Sequence, residues 1–257
     1  MPKSAKPDIK DKVRKQYAKI ALSGNSNCCC MPGECGPSAS PVEAAKAIGY
    51  DLSELQSVPE ESILGVGCGA PLNFADIKLG ETVVDLGSGA GIDAFISANK
   101  VGSKGRIIGI DMTDEMLRKA QRNAAEHSYS NVEFRKGDIE SDMPVDSNSV
   151  DLVISNCVIN LTTSKVDAFR QVNRILKQGG RMVISDLVTD KEVKVDSVNE
   201  EKWCSCIDGA LTRDNYLGAI RAAGFKDIEV LQEKGYIEGA QVDGRRISSL
   251  VIRAVKP

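Results

Sequence analysis

The sequence has little of several residue types, and each shortage removes a class of function. A single histidine, His127, stands among 257 residues, so the sequence predicts no catalysis by a histidine base. No apolar run approaches the roughly 20 residues that a membrane-spanning helix requires, and the charged N-terminal stretch is unlike a secretory signal. The formal net charge of -3 predicts no basic surface for nucleic acid. We therefore expect a cytoplasmic protein that binds neither membranes nor nucleic acid.

Cysteine, in contrast, is well represented, with eight residues. The thiols of a cytoplasmic protein stay mostly reduced, so this count predicts buried, metal-binding or catalytic thiols rather than a disulfide framework. Half of them lie at residues 23–40, a segment rich in glycine, serine and proline that we predict to be a loop. These four are Cys28, Cys29, Cys30 and Cys35.

The chain is organised around the motif Asp-Leu-Gly-Ser-Gly-Ala-Gly-Ile-Asp at residues 85–93. It follows a β-branched run and precedes a helical pattern over residues 92–101. Its glycines let the backbone turn sharply and let a ligand approach, and the helix N-terminus offers N–H groups to an anion. The dinucleotide fingerprint would place the third glycine at position 92, which is isoleucine here. The spacing therefore favours a cofactor that carries a carboxylate.

An acidic residue supplies the second half of this signal. The apolar strand predicted at residues 106–111 ends in Asp111, about twenty residues beyond the glycines. An acid at that place in an α/β fold accepts hydrogen bonds from both ribose hydroxyls of a cofactor. Motif and acid together predict a nucleoside-containing cofactor.

From Glu81 onward, predicted strands alternate with predicted helices, which is typical of a parallel sheet with crossover helices. We predict an α/β fold with a mostly parallel seven-stranded sheet and helices on both faces. The predicted strands are residues 82–84, 106–111, 132–135, 150–155, 181–187, 226–232 and 246–255. Residues 1–72 are predicted to form a helical and loop extension, with a docking helix at 8–21, and 73–257 the main domain. A helix capped by Ser164 is predicted to end at Gly179-Gly180, and residues 188–211 to form an irregular insertion after the fifth strand.

Three cysteines fall on three different predicted loops. Ligands of open parallel sheets bind beyond the carboxyl ends of the strands, and Cys157 stands just past the fourth strand. Cys68 lies between two glycines upstream of the first strand, and Cys206 lies in the insertion. These thiols can converge above one edge of the sheet. An isolated cysteine at a strand end is more often a small buried hydrophobe, and Cys204 with Cys206 can also be a redox or zinc pair.

Five motifs together resemble one family, the arsenite methyltransferases that use S-adenosylmethionine. They are Gly-Cys-Gly at 67–69, Asp-Leu-Gly-Ser-Gly-Ala-Gly at 85–91, Gly-Ile-Asp-Met-Thr at 109–113, Ser-Asn-Cys-Val-Ile-Asn-Leu at 155–161 and Cys-Ile-Asp-Gly-Ala-Leu at 206–211. The similarity runs from Tyr17 to about Leu211, and the cysteine motifs are its most specific part.

The resemblance implies a Rossmann-like class I S-adenosylmethionine-dependent methyltransferase fold, with no metal cofactor required. It implies that Cys68, Cys157 and Cys206 are catalytic thiols that bind As(III), and that residues 188–211 form an arsenic-binding insertion. The residues predicted to bind S-adenosylmethionine are Asp85, Gly87, Ser88, Gly89, Gly91, Asp111, Met112, Asp138, Ile139 and Asn156.

Two cysteine assignments depend on the family pattern. In that pattern the functional thiol of the insertion is Cys206, and Cys204 occupies a position that need not be cysteine. The family also has a functional cysteine near the N-terminus. Cys28, Cys29 and Cys30 are its candidates here, and the sequence does not choose among them.

This chemistry suits the residues that are present. Trivalent arsenic is soft, and thiolates are the soft ligands that a protein offers. The lone pair on thiolate-bound As(III) attacks the methyl sulfonium in line and carries no proton, so no general base is required. Methylation formally oxidises arsenic, and thiols closing to a disulfide can restore the trivalent state. The expected substrates are arsenite, its thiol conjugates and methylarsenite, and the expected partner is a thioredoxin- or glutathione-type reductant.

Two other functions are consistent with the residues. One is a generic small-molecule C- or N-methyltransferase with incidental cysteines, which would require a base within hydrogen-bond reach of its substrate. The other is a thiol-based metal- or redox-sensing protein that only binds the cofactor. Turnover of arsenite to methylated arsenic distinguishes an arsenite methyltransferase from the generic methyltransferase, and the sensor would instead show an effect of cofactor or metal on a partner without turnover.

Overall fold

A computed structural model describes residues 9–23, 40–141, 143–194, 197–236 and 241–257. The strands are β1 Thr82–Leu86, β2 Arg106–Asp111, β3 Val132–Lys136, β4 Val150–Asn156, β5 Leu176–Thr189, β6 Lys226–Gly235 and β7 Ile247–Val255. The helices are α1 Ile9–Ser23, α2 Pro41–Ala47, α3 Leu52–Gln56, α4 Ile92–Val101, α5 Asp114–Glu126, α6 Lys165–Ile175, α7 Glu200–Cys204 and α8 Arg213–Ala222. None of the helices within these ranges is both long and apolar enough to cross a bilayer.

The strands form one sheet in the order β3-β2-β1-β4-β5-β7-β6. Strands β1 to β5 pair in parallel, and β7 is antiparallel to both of its neighbours. A parallel strand that is covered on both faces is apolar on both faces. Successive residues of β1 therefore pack into two different apolar cores, one on each face of the sheet. Val84 packs with Phe169 of α6, whereas Val83 packs with Phe95 of α4. The predicted fold class and the seven strands are confirmed.

The structure differs from the prediction around the fifth strand. Helix α6 ends at Ile175, and β5 begins at Leu176, so Gly179-Gly180 does not end the helix. Leu176 is fully buried and pairs with Val150 of β4, which favours strand over further helix. At its other end β5 continues to Thr189, which pairs with Ile247. The first two residues of the predicted insertion therefore belong to the sheet.

The insertion also contains regular structure that the sequence did not reveal. Helix α7 occupies Glu200–Cys204 within the stretch that was predicted to be irregular. Its N-cap is Asn199, whose side chain accepts a hydrogen bond from Lys202 N at 3.0 Å. Trp203 donates from Nε1 to Leu161 O at 3.1 Å, which joins α7 to the segment that follows β4.

The N-terminal residues share a core with the sheet. Helix α1 buries Val13 and Ile20 and contacts α5 and α7, as expected of a docking helix. The predicted capping box opens α2, where Ser40 Oγ accepts from Glu43 N at 3.2 Å and Glu43 Oε2 accepts from Ser40 N at 2.8 Å. Tyr50, beyond α2, is buried in the same apolar cluster as Phe95. This packing places the loop before β1 against the carboxyl edge of the sheet.

Candidate active site

A cleft opens at the carboxyl ends of the central strands. Open α/β sheets bind ligands at this edge because the strand order reverses there, here between β1 and β4. Seven of the residues predicted to bind the cofactor line it. They are Gly87, Gly89, Asp111, Met112, Asp138, Ile139 and Asn156.

The glycine motif forms one wall of this cleft. Gly89 has a φ of +52°, and a Cβ placed on it would meet nothing closer than Met116 Sδ at 3.9 Å, so the missing side chain leaves open space beside the cleft. Gly91 does not line this cleft. It is the N-cap of α4 with a φ of +100°, and a Cβ there would lie 2.6 Å from the Phe95 ring. Gly89 therefore makes room for a ligand, and Gly91 makes room for the helix.

Asp111 ends β2 and is tied to the glycine motif. Its Oδ2 accepts from Gly89 N at 3.0 Å, and its Oδ1 accepts from Thr113 N at 2.8 Å. Burial raises the pKa of Asp111, although the hydrogen bonds from Thr113 and Gly89 act in the opposite direction. Asp111 lines the cleft, so its carboxylate can also accept hydrogen bonds from hydroxyl groups of a ligand.

Asp85 and Ser88, which also belong to the motif, do not line the main cleft. They line a smaller adjoining cavity, which shares Gly87, Gly89 and Asn156 with the cleft. Among the described residues, no hydrogen-bond partner exists for the buried Asp85 Oδ2 or Ser88 Oγ. Burial, together with the nearby carboxyls of Asp93 and Asp111, raises the pKa of Asp85 well above its usual range. Unpaired buried polar atoms beside the cleft fit a cofactor with a polar end.

Helix α1 covers the cleft, and we refer to it as the roof helix. Lys10, Val13 and Tyr17 face the cleft from above. Lys10 Nζ donates to Asp138 Oδ2 at 2.7 Å and forms an ion pair with Glu140 at 2.5 Å. Burial opposes the ionisation of Asp138, but the hydrogen bond and charge of Lys10 outweigh it and lower the pKa of this carboxyl. The sequence predicted a docking helix but gave no sign that it would line the site.

Asn156 positions the loop that carries Cys68. Its Nδ2 donates to Gly69 O at 2.6 Å and to the Tyr50 hydroxyl at 2.9 Å, and its Oδ1 accepts from Cys68 N at 3.1 Å. Asn156 also borders the cleft. A residue predicted only as a cofactor ligand therefore also connects the cofactor side of the site to a thiol.

The structure brings together the three cysteines on separate loops. Cys68, Cys157 and Cys206 are 4%, 9% and 2% exposed and belong to one buried cluster, which we call the thiol cluster. The Sγ atoms of Cys68 and Cys157 lie within 4.8 Å of each other. Cys206 Sγ donates to Cys157 O at 2.9 Å. Since Cys157 also lines the cofactor cleft, cleft and cluster meet at this residue.

Burial favours the protonated form of two of these thiols, Cys68 and Cys157. Burial raises the pKa of Cys68, although the adjacent Cys157 thiol opposes the shift. Burial and the neighbouring thiols of Cys206 and Cys68 raise the pKa of Cys157 well above its usual range. Cys157 and Cys206 also have positive φ values of 59° and 64°, a conformation that is costly for residues other than glycine and is concentrated at functional sites.

Asp186 is a member of this site that the sequence analysis missed. It follows Ser185 in β5, and a carboxylate oxygen of it lies within 4.8 Å of the Cys68 and Cys157 sulfurs. It accepts from Asn160 N at 3.0 Å and from the Tyr216 hydroxyl at 3.1 Å. Burial raises its pKa to about 7, although the charge of Lys165 opposes the shift. The signal that could have revealed Asp186 is its position as an acid near the end of the strand predicted at residues 181–187.

The remaining cysteines and the histidine have other positions. Cys204 ends α7, where its backbone oxygen accepts from the Tyr17 hydroxyl at 3.4 Å, and the thiol cluster contains Cys206 instead. His127 is at the C-terminal end of α5 and borders a different surface hollow. The N-terminal candidates are outside the described residues. They are Cys28, Cys29 and Cys30, and Cys35 is outside the described residues as well.

Comparisons with known proteins agree with this geometry. Residues 77–235 match the family model of a methyltransferase domain. Arsenite methyltransferase of Halobacterium salinarum is 39% identical over 97% of this chain and 67% of its own length. The mouse arsenite methyltransferase is 33% identical over 84% of this chain and 60% of its own length. The human arsenite methyltransferase is 36% identical over 66% of this chain and 48% of its own length. The chain thus spans about half to two thirds of the length of these relatives.

A solved structure gives the same result. The crystal structure of an arsenic(III) S-adenosylmethionine methyltransferase from Chlamydomonas reinhardtii superimposes with a TM-score of 0.65 and 30% identity, covering 85% of this chain and 74% of the other. The fold, the glycine motif and the acid that ends β2 define a class I S-adenosylmethionine-dependent methyltransferase. Within that class, the chain belongs to the arsenite methyltransferase family.

Proposed function

We propose that this chain methylates trivalent arsenic with S-adenosylmethionine as the methyl donor, using arsenite and methylarsenite as substrates, and so serves arsenic detoxification. One observation supports this proposal above all others. Three thiols from separate parts of the chain are buried together beside the cofactor cleft, and Cys157 belongs to both places. Such a group of soft ligands suits a soft metalloid substrate.

The cleft residues hold the cofactor. Asp111, at the end of β2 and in the lining of the cleft, would accept hydrogen bonds from the ribose hydroxyls. Gly89 lets the cofactor lie against the backbone, and the roof helix excludes water from above. When bound, S-adenosylmethionine supplies an electrophilic methyl group on a sulfonium.

The thiol cluster holds the arsenic. Arsenite carries three hydroxyl groups, and each thiol of the cluster replaces one of them, so that its proton leaves with the hydroxyl as water. Neutral thiols therefore bring the protons that this exchange consumes, which agrees with the raised pKa values of Cys68 and Cys157. Because Cys157 borders the cleft, the lone pair on arsenic faces the methyl donor.

This mechanism requires no general base. The nucleophile is a lone pair without a proton, and catalysis depends on holding the reactants in attack geometry, which can supply about 7–11 kcal/mol. His127 is at the end of α5, away from the cleft. Two electrons leave arsenic in each transfer, and two thiols that close to a disulfide return them. A thioredoxin- or glutathione-type reductant then reduces that disulfide.

The test is to incubate the purified chain with S-adenosylmethionine, arsenite and a thiol reductant and to separate the arsenic species by chromatography with mass detection. We expect methylated arsenic from the parent chain, none from Cys157→Ser, and a near-parent amount from Cys204→Ser. If S-adenosylmethionine binds but no methylated arsenic forms, the proposal is wrong. Transfer of the methyl group to another acceptor would then indicate a C- or N-methyltransferase, and cofactor binding without any transfer would indicate a sensor.

A further inference from the structure

A carboxylate that trivalent arsenic does not use as a ligand lies beside the thiol cluster. One ligand atom each of Cys68, Cys157 and Asp186 lies within 4.8 Å of the other two, and all three residues are buried. Arsenic bound by three sulfurs is a trigonal pyramid, and its lone pair leaves no place for a carboxylate. The mechanism of methyl transfer therefore gives Asp186 no role as a ligand.

A buried set of two thiols and one carboxylate suits a different class of ion. Zinc is bound by cysteine sulfur at about 2.3 Å and by aspartate oxygen at about 2.0–2.2 Å in tetrahedral geometry, which separates the ligand atoms by about 3.5–3.8 Å. The three ligand atoms of this cluster need to approach by only about an ångström to reach these separations. Cys206, whose sulfur hydrogen-bonds to the backbone oxygen of Cys157 at 2.9 Å, is the adjacent fourth donor.

The surroundings of Asp186 also fit a ligand. Its Oδ2 accepts two hydrogen bonds, from Asn160 N and the Tyr216 hydroxyl, whereas its Oδ1 accepts one, from Leu187 N at 3.0 Å. Oδ1 therefore keeps a lone pair for a metal ion. These three contacts fix the carboxyl from β5, α8 and the segment after β4. A carboxylate held in this way loses little freedom when it binds an ion.

The charges balance for a divalent ion. Two thiolates and one carboxylate carry three negative charges, a divalent cation reduces them to one, and the buried Lys165, whose positive charge acts on Asp186, offsets the last. Buried charge that is compensated in this way avoids most of the desolvation cost. Binding breaks two S–H bonds, forms two metal–sulfur bonds and releases two protons to solvent, with no change of oxidation state.

We propose that Cys68, Cys157 and Asp186 form a site for a thiophilic divalent cation, with Zn²⁺ as its representative, and that this ion competes with arsenite for the shared thiols. The binding site goes beyond the proposed function, and only the competition rests on it. A substitution of Asp186 distinguishes the divalent ion from trivalent arsenic, because the divalent ion requires the carboxylate and trivalent arsenic does not.

The test measures Zn²⁺ binding by calorimetry in a non-chelating buffer. The parent for this experiment is the full chain with Cys28, Cys29, Cys30 and Cys35 changed to serine, so that the N-terminal thiols cannot bind the ion. We expect one Zn²⁺ per chain and a loss of affinity of at least tenfold in Asp186→Asn and in Cys68→Ser. Cys204→Ser, which removes a buried thiol outside the cluster, is the matched control and should bind as the parent does.

Circular dichroism and thermal unfolding establish that each variant is folded, and the thiolate absorption of bound Cd²⁺ reports how many sulfurs coordinate. Absence of Zn²⁺ binding to the parent, or equal binding by Asp186→Asn and the parent, would overturn the proposal. Arsenic speciation is measured separately on the unmodified chain with and without Zn²⁺. If arsenic is methylated but Zn²⁺ does not bind, the metal-site proposal fails and the proposed function stands. If Zn²⁺ binds but no arsenic is methylated, only the proposed function fails.

Discussion

The cofactor cleft and the thiol cluster meet at Cys157, yet they are assembled in different ways. One wall of the cleft comes from two neighbouring stretches, the glycine turn after β1 and the end of β2, and a hydrogen bond from Gly89 to Asp111 joins them. The thiols come from a loop before β1, a turn after β4 and the insertion after β5. This wall of the cleft is thus a local structure, whereas the cluster exists only when distant segments pack. Substitutions should therefore separate cofactor binding from arsenic chemistry.

The largest separation is expected from Cys157→Ser. A hydroxyl is a hard and weak ligand for As(III), so methylation of arsenite and methylarsenite should fall by about 100-fold or more, while S-adenosylmethionine affinity is largely kept. Arsenic speciation and calorimetry measure the two properties. Cys206→Ser should behave in the same way, whereas Cys68→Ser should lose arsenite but retain some turnover of methylarsenite, in which a methyl group replaces one sulfur. An active Cys206→Ser with an inactive Cys204→Ser would refute the choice between these two neighbours.

A substitution that replaces no cysteine should also impair the thiol cluster without affecting cofactor binding. A Cβ on Gly209 would lie 1.9 Å from the backbone oxygen of Asn160, so Gly209→Ala must displace the insertion that carries Cys206. We expect a loss of about 1–3 kcal/mol in the free energy of unfolding and a fall of about 10–100-fold in arsenite methylation, with unchanged cofactor affinity.

Gly218→Ala is the matched control for this substitution. Gly218 lies in α8, and nothing would come within 4 Å of its added Cβ. The gain in helix propensity should stabilise the chain by up to about 1 kcal/mol. Denaturant unfolding of both variants checks the pair. Equal stability of the two would show that the contact between the insertion and Asn160 is not needed.

Asp111→Ala is expected to have the opposite effect, in which cofactor binding is weakened and arsenite binding is kept. Hydrogen bonds from ribose to a charged carboxylate are lost, so S-adenosylmethionine binding should weaken by about 2 kcal/mol. The thiol cluster should still bind arsenite with parent affinity, because it shares no hydrogen bond with Asp111 among those described. Calorimetry with each ligand checks this prediction. Unchanged cofactor affinity in a folded variant would remove Asp111 from the site.

The smallest effect is expected from the roof helix. Lys10→Ala removes the ion pairs with Asp138 and Glu140 at the edge of the cleft, and should weaken cofactor binding by about 0.5–1 kcal/mol. Lys12→Ala is the control, because it removes an ion pair of the same helix with Glu200, away from the cleft. The same loss of affinity in both variants would mean that the roof helix contributes only to stability.

Much of the fold was predictable because its signals are local. The apolar runs, the glycine motif and the acid of Asp111 each depend on residues close in sequence, and the observed β2 and α4 have the predicted bounds. The prediction failed where tertiary pairing outweighed a local signal. Gly179-Gly180 suggested a helix end, but burial of Leu176 and pairing with β4 and β7 extend β5 on both sides.

The sequence by itself determined which chemistry is available: eight cysteines, one histidine outside any catalytic pattern, and a cofactor motif whose parts are neighbours along the chain. Only the tertiary structure decided which of these groups share a site. In the folded chain Cys206 has a positive φ and lies beside Cys157. Asp186 lies beside the thiols, and Lys10 lines the cleft. Local hydrogen bonding and periodicity are encoded residue by residue, whereas the convergence of side chains from distant segments depends on packing that no single stretch of sequence specifies.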